Sequence, residues 1–189
     1  MSKPDDLPFL IGRIAAGDTR AMKAFYAAIG PDIHRIIQTR LRAPHEAADA
    51  LQETMLDVWR QAERFEGRSS ARTWVFAIAR NKAVDRIRKA PTAVAEPDET
   101  IADDRPNPHD SIEALDDANA LHRCMGTLSQ VHRAAIHLAY FQDISYPQIA
   151  DIEACSVGTV KTRVFHAKRL LLHCLSHTGA RLRAQALSK

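Results

Sequence analysis

Residues 145–171 constrain the fold more than any other part of this chain. Ser145 and Gln148 have the spacing of a capping box and predict the start of a short helix. A turn at Glu153–Cys155 follows, and Ser156 predicts the start of a second helix. The apolar residues of that helix, which recur at helical spacing and predict a buried stripe, are Val157, Val160, Val164, Ala167 and Leu171. This pattern predicts a helix-turn-helix, the motif that places its second helix in the DNA major groove.

The remaining face of the second helix is rich in hydrogen-bond donors. It carries Thr159, Lys161, Thr162, Arg163, His166, Lys168 and Arg169, with no acidic residue among them. Such side chains bind phosphates and base edges, so this face is a candidate DNA-binding surface. The alternative is an ordinary amphipathic helix with a solvated basic face.

The composition favours an all-α protein. Aromatic residues make up only 6% of the chain and glycine occurs seven times, while Ala, Leu and Ile are plentiful. No apolar run is long enough to span a membrane, and the amino terminus lacks the pattern of a secretory signal. The three widely spaced cysteines, Cys124, Cys155 and Cys174, indicate buried, reduced thiols in a cytosolic protein rather than a disulfide framework.

Charge divides the chain into parts. Residues 1–90 hold 16 Lys/Arg and 11 Asp/Glu, residues 91–118 hold 1 and 9, and residues 119–189 hold 9 and 3. The acidic, proline-rich segment predicts a flexible linker at 91–111. It separates an N-terminal domain (1–90) from a C-terminal domain (112–175), with a basic tail at 176–189. Basic lobes on either side of an acidic connector favour nucleic acid as a partner.

Helical periodicity and breakers predict the helices of both domains. The expected helices before the helix-turn-helix are Phe9–Ala16, one that Asp18 caps and that runs to about Ile29, Pro31–Leu41, His45–Phe65, Thr73–Lys89, Ile112–Gly126 and Ser129–Phe141.

Residues 65–89 form a second candidate site. Trp74 and Phe76 lie near a helix start, after a loop that contains Gly and Ser. Asn81, Asp85 and Arg88 make a polar stripe on the helix, beside a basic stripe of Lys82, Arg86 and Lys89. Bases stack on aromatic planes while Lys and Arg neutralise the backbone, so the segment can bind unpaired bases. For both aromatic residues the alternative is packing in the core.

The helix over residues 47–61 is acidic within a basic domain. Asp49, Gln52, Glu53 and Asp57 populate its polar side, and Leu51, Met55, Val58 and the ring of Trp59 are expected close to the other. The acidic side favours a protein partner over DNA, although an ordinary solvated face explains the charges equally well.

The order of these segments resembles bacterial sigma factors, and most of all the extracytoplasmic-function (ECF) group. The resemblance rests on DALQETMLDVW, on F-x-G-x-S-S-x-x-T-W-x-F-x-I-A-R-N-x-x-x-D-x-x-R, and on S-Y-x-Q-I-A-x-I followed by S-x-G-T-V-K-T-R. It covers residues 9–175, which is nearly the whole chain.

The resemblance implies a role for each segment. The N-terminal domain would bind and melt the promoter −10 element through Phe65, Arg68, Ser69, Ser70, Arg72, Trp74, Asn81, Lys82, Asp85, Arg86 and Arg88. The C-terminal domain would bind the −35 element through Ser156, Thr159, Lys161, Thr162, Arg163, His166, Lys168 and Arg169. Asp49, Gln52, Glu53, Asp57 and Trp59 would contact core RNA polymerase.

The resemblance also implies partners. These are the β′ coiled coil and β flap of core RNA polymerase, promoter DNA and an anti-sigma factor, in the cytoplasm and without membrane insertion. The linker would thread toward the RNA exit path. No catalytic residue, cofactor or metal site is expected, and His173-Cys174 with His177 is weak support for a metal.

The chain departs from the sigma-factor pattern at two positions, and one alternative function remains open. Glu153-Ala154 stands where the family more often has a Leu-Gly type turn, and Phe165 stands where it often has a basic or polar residue. The alternative is a stand-alone helix-turn-helix regulator with a sensor domain at residues 1–90. That hypothesis leaves the pattern from Trp74 to Lys89 unexplained.

Overall fold

The computed structural model describes residues 6–89 and 112–177, and the elements in these ranges are helical. The helices are α1 Leu7–Ala15, α2 Thr19–Gln38, α3 Pro44–Gln61, α4 Ala71–Lys89, α5 Ile112–Thr127, α6 Gln130–Ile136, α7 Tyr146–Glu153 and α8 Val157–His177. A 3₁₀ turn, Ala62–Arg64, follows α3, and a π-helical turn, His137–Phe141, continues α6. The expected all-α fold of two helical domains is confirmed. The linker at 91–111 and the tail beyond residue 177 lie outside the described residues.

Helix α2 organises the N-terminal domain, α1–α4. Asp18 caps it, because its carboxylate accepts hydrogen bonds from the backbone N–H groups of Arg20 (2.8 Å) and Ala21 (3.1 Å). Its buried stripe consists of Phe25, Ile29, Ile33, Ile36 and Ile37. Each such side chain contributes about 1.5–3 kcal/mol when it is fully buried. The stripe packs against α1, α3 and α4 and so fixes the bundle.

The expectation of two helices in place of α2 is wrong. Pro31 lies inside one continuous helix rather than at the start of a second. Proline in a helix interior costs about 3 kcal/mol through a lost hydrogen bond and a steric clash. Ile29 and Ile33 lie on either side of Pro31 and are fully buried, so the packing of the stripe outweighs this cost.

The C-terminal domain, α5–α8, is held together by packing of α8 against α5, α6 and α7. The buried stripe of α8 consists of Val160, Val164, Ala167, Leu171 and Leu175. The expectation of three reduced thiols is wrong, since Cys124 in α5 and Cys174 in α8 form a disulfide. Only packing of α5 on α8 brings these cysteines together across 50 residues of sequence. Cys155 is the free cysteine of the described residues.

The helix-turn-helix is α7, a three-residue turn and α8. Gln148 Oε1 accepts hydrogen bonds from the backbone N–H (3.2 Å) and the hydroxyl (2.8 Å) of Ser145 at the start of α7. Ser156 Oγ accepts the backbone N–H of Thr159 (3.1 Å) and caps α8. Ala154 ends α7 in the left-handed conformation, with φ 50° and ψ 50°. This conformation favours glycine, because the Cβ of other residues is crowded there.

The two domains pack against each other, chiefly through α4 and α7. We call the polar part of this contact the interdomain surface. It comprises Asp32, Thr39, Arg40, Arg72 and Arg80 of the N-terminal domain and Gln130, Arg133, Gln142 and Glu153 of the C-terminal domain.

A buried ion pair lies at the centre of the interdomain surface. Arg40 Nη2 is 2.6 and 2.5 Å from the two carboxylate oxygens of Glu153, and the two residues are only 5% and 4% exposed. Burial lowers the pKa of the Arg40 guanidinium, and the Glu153 carboxylate opposes that shift. The pair therefore carries a desolvation cost that its hydrogen bonds offset.

His137 lies at the edge of the same surface, near Gln142 and the ring of Phe141. Burial, and secondarily the charge of Arg35, lower its pKa from 6.5 to about 4, while Asp32 opposes the shift. The imidazole is therefore neutral in the folded chain at neutral pH.

Ala154→Gly is expected to raise the free energy of unfolding by about 1 kcal/mol, because it relieves the left-handed strain. Chemical denaturation followed by circular dichroism measures the change. The matched control is Ala48→Gly in an exposed part of α3, where glycine should lower stability by about 1 kcal/mol. A loss of stability in Ala154→Gly would contradict the expected strain.

Acid should destabilise the chain through His137. The unfolded chain protonates this residue more readily, so its contribution is present above pH 6.5 and is lost as the pH falls toward 4. Between pH 7 and pH 5 the wild type should lose about 2 kcal/mol more than His137→Gln, as measured by denaturation at both pH values. Equal losses in the two proteins would show that His137 is not the titrating group.

Candidate nucleic-acid interface

The outward face of α8 presents Lys161, Thr162, Phe165, His166 and Arg169 to solvent. Phe165 is 58% exposed, and the guanidinium of Arg169 lies over its ring at 5.9 Å. Helix α8 reaches this position because its opposite side is the buried stripe described above. The result is a cationic surface with an apolar centre. Its chemistry fits a DNA major groove, where cations bind phosphates and guanine and apolar groups contact the thymine methyl.

Three other residues of the predicted −35 set have local roles. The hydroxyls of Ser156 and Thr159 are 2.9 Å apart within the cap of α8. Lys168 Nζ lies 4.7 Å from the ring centroid of Tyr140, so this lysine packs beside α6 and its π-helical turn. These residues shape the helix and its flank rather than the centre of the outward face.

Arg163 points toward the interdomain surface. Its guanidinium is 3.7 Å from the Glu153 carboxylate and 3.8 Å from the sulfur of Cys155. Glu153 thus lies between two guanidinium groups, Arg40 from one domain and Arg163 from the other. The arrangement separates Arg163 from the rest of the predicted −35 set.

The loop before α4 holds an aromatic pair. The rings of Phe65 and Trp74 are 5.2 Å apart and tilted by 49°, and both are half-buried. Ser70 caps α4 by accepting the backbone N–H of Thr73 at 3.0 Å. Gly67 has φ +70°, a conformation that favours glycine, between the two anchored ends of the loop. Arg68 and Ser69 follow it in the loop, and Arg68 pairs at 2.9 Å with Glu66 on an exposed surface.

Helix α4 divides its polar residues between two sides. Asn81, Asp85 and Arg88 are exposed, as a binding stripe requires. Lys82 and Arg86 instead contact α3: Lys82 Nζ is 2.7 Å from Asp57, and Arg86 Nη2 is 2.6 Å from Glu53.

These ion pairs connect residues of the predicted −10 site on α4 with residues of the predicted polymerase-binding site on α3. Asp49, Glu53 and Asp57 were expected to face a protein partner, but each has a cation of α4 within 3.7 Å. Gln52 and Trp59 lie on the exposed side of α3 with Leu56, which is 53% exposed. Met55 and Val58 are buried, whereas Trp59 is 37% exposed at the border of the buried side. The exposed side of α3 is therefore polar and apolar, and its acids are partly neutralised.

Arg72, a residue of the predicted −10 set, contacts the interdomain surface instead of the loop before α4. It hydrogen-bonds Gln142 of the C-terminal domain and lies 3.2 Å from Asp32. Its guanidinium also lies 5.4 Å from the centroid of Phe76, which is fully buried and therefore belongs to the core.

Sequence reasoning missed Arg40 and Glu153 as interacting residues. Arg40 belongs to no motif, and 113 positions separate it from Glu153. The available signal was Glu153 itself, a charged residue at the end of α7, whose other buried residues are apolar. Among residues 6–89 and 112–177 no cluster of metal ligands occurs, and no helix is long and apolar enough to cross a membrane.

Two family models match the chain. Sigma-70 region 2 matches residues 25–91, and Sigma-70 region 4 matches residues 118–171. Among curated relatives, the ECF RNA polymerase sigma factor SigK of Mycolicibacterium vanbaalenii is 31% identical over 175 residues, which cover 90% of this chain and 89% of the relative.

Solved structures show the same fold. The sigma factor RpoE of Bartonella quintana, crystallised with the anti-sigma factor NepR, is 27% identical with a TM-score of 0.65, covering 82% of this chain and 96% of that one. CnrH, solved in complex with the cytosolic domain of CnrY, is 21% identical with a TM-score of 0.65, covering 90% of this chain and 97% of that one.

Proposed function

This chain belongs to the ECF group of the sigma-70 family, and we propose that its two domains divide promoter recognition between the −10 and −35 elements. As a sigma factor it binds core RNA polymerase, directs it to promoters and helps to melt DNA. The observation that supports separate recognition of the two promoter elements is the exposed, cationic outward face of α8, which lies in the region 4 match. A stand-alone regulator finds no support, since residues 25–91 match Sigma-70 region 2.

We propose that the N-terminal domain binds the −10 element as single strand. The half-buried pair of Phe65 and Trp74 offers aromatic faces for a base that has left the duplex. Extruding a base costs stacking energy of a few kcal/mol, which stacking on these rings would replace. Asn81, Asp85 and Arg88 continue the site along the exposed side of α4.

The C-terminal domain is proposed to read the −35 element as duplex. Lys161, Thr162, His166 and Arg169 surround Phe165 on the outward face of α8. Arg and Lys bind guanine edges and phosphates, and Phe packs on a thymine methyl, so this face suits direct readout. Arg163 would join the site once it separates from Glu153.

Core polymerase is proposed to bind the exposed side of α3. Gln52, Leu56 and Trp59 form a mixed apolar and polar surface of the kind found at protein interfaces. The β′ coiled coil is the expected partner of this surface, and the β flap that of the C-terminal domain.

Control by an anti-sigma factor is also proposed. RpoE of Bartonella quintana, to which this chain is 27% identical, was crystallised with the anti-sigma factor NepR. We infer action by binding alone, without an enzymatic step, and in the cytoplasm, where bacterial RNA polymerase transcribes.

The proposal is tested by run-off transcription with bacterial core RNA polymerase on a library of promoter fragments, with and without the chain. Specific transcripts that require the chain support the proposal, and their start sites locate both promoter elements. Footprints on duplex DNA without polymerase, together with no transcripts, would overturn it.

Trp74→Ala is expected to impair strand opening more than initial promoter binding, because an extruded base loses its stacking surface. Stacking on an aromatic side chain is worth about 1–3 kcal/mol per base, so open complexes should fall roughly fivefold to a hundredfold. Permanganate footprinting measures opening, and filter binding at low temperature measures closed complexes. A pre-melted −10 template should not restore binding fully, and equal loss of both complexes on duplex would contradict the assignment.

Lys161→Ala should reduce the salt dependence of promoter binding. One lost phosphate contact lowers the slope of log K against log salt by about 1. Holoenzyme binding to closed promoter complexes, titrated with KCl, measures this slope. Lys23→Ala, which removes an exposed lysine of α2, is the matched control and should leave the slope unchanged. Identical slopes for Lys161→Ala and wild type would remove Lys161 from the interface.

A further inference from the structure

The interdomain surface uses residues that the proposed function assigns to DNA. Arg72, from the predicted −10 set, binds Gln142 of the other domain. Arg163, from the predicted −35 set, lies 3.7 Å from Glu153, whose carboxylate is held by Arg40. One DNA-binding candidate from each domain is therefore engaged within the protein.

The packed arrangement is also too small for a promoter. Elements centred near −10 and −35 are roughly 25 base pairs apart, or about 85 Å at about 3.4 Å per base pair. A compact body made of residues 6–89 and 112–177 has a radius of gyration of about 15 Å and hence a diameter of about 40 Å. Helices α4 and α7 touch in the present structure, so the domains must separate before both elements are bound together.

We propose that the buried ion pair of Arg40 and Glu153 is a latch that keeps the free chain closed, so that the two domains cannot bind both promoter elements together until core polymerase separates them. This inference rests on the proposed function. It adds a regulatory contact within the chain, distinct from any anti-sigma factor.

The chemistry of the pair suits a latch. A buried carboxylate without its partner is strongly unfavourable, so loss of either residue favours the open state, in which the survivor is hydrated. Three further hydrogen bonds support closure, since Arg80 Nη2 donates to the Glu153 carbonyl (3.2 Å), Gln130 Nε2 to the Arg40 carbonyl (3.0 Å) and Arg133 Nη1 to the Thr39 carbonyl (3.4 Å).

Closure also has a cost, which makes the latch reversible. The Nε atoms of Arg72 and Arg80 are buried on this surface without a hydrogen-bond partner in the structure. Buried donors of this kind regain water when the domains part. The contact is therefore polar and contains buried donors that lack acceptors, unlike the apolar cores of the two domains.

The test compares the full-length wild type with Arg40→Gln and Glu153→Gln. Small-angle X-ray scattering of each free protein measures the radius of gyration, and fluorescence anisotropy measures affinity for core polymerase. Both variants should be larger than the wild type. They should also bind polymerase roughly tenfold more tightly, as expected when about nine-tenths of the wild type is closed. Arg13→Gln, which breaks an ion pair within the N-terminal domain, is the matched control and should change neither quantity.

Circular dichroism distinguishes opening from unfolding, since opening leaves the helical content unchanged. The charge exchange Arg40→Glu with Glu153→Arg should restore the wild-type radius, which a merely structural role of either residue would not produce. Unchanged radius and affinity in both single variants would overturn the latch. That result is separate from failure of the proposed function, because scattering contains no polymerase and wild-type transcription tests the function alone.

Discussion

Burial of the aliphatic stripe on α2 is the interaction on which the rest of the structure depends. Ile29, Ile33 and Ile37 are fully buried, and their packing keeps α2 helical through Pro31. The same helix brings α1, α3 and α4 into one bundle, and Arg40 lies just beyond its end. Core packing in the N-terminal domain therefore also sets the position of the contact with the C-terminal domain.

Several charges of α3 and α4 pair between the two helices rather than face solvent. Lys82 and Arg86 of α4 meet Asp57 and Glu53 of α3, although the sequence suggests separate basic and acidic surfaces. The exposed residues beside these pairs, above all Trp59 and Asn81, are then the better candidates for direct contact with a partner. Choosing site residues by their charge alone ignores these ion pairs within the protein.

Local signals predicted the local structure well. The caps at Asp18, Ser145 and Ser156 depend only on residues a few positions away, and each forms as expected. Sequence reasoning failed where distant residues decide the outcome. Pro31 remains helical because of tertiary packing, and the Cys124–Cys174 disulfide and the Arg40–Glu153 pair join residues 50 and 113 positions apart. The outward face of α8 was predictable because periodicity identifies the buried side, whereas the diversion of Arg163 to Glu153 was not.

The disulfide has a mechanical consequence for the C-terminal domain. It joins α5 to the last turns of α8, so the chain from residue 125 to residue 173 forms a covalent loop that contains α6, α7 and most of α8. Tension applied between α5 and the end of α8 passes through the sulfur atoms and bypasses this loop. The helix-turn-helix is thereby shielded from any force that reaches its domain through α5 and the end of α8.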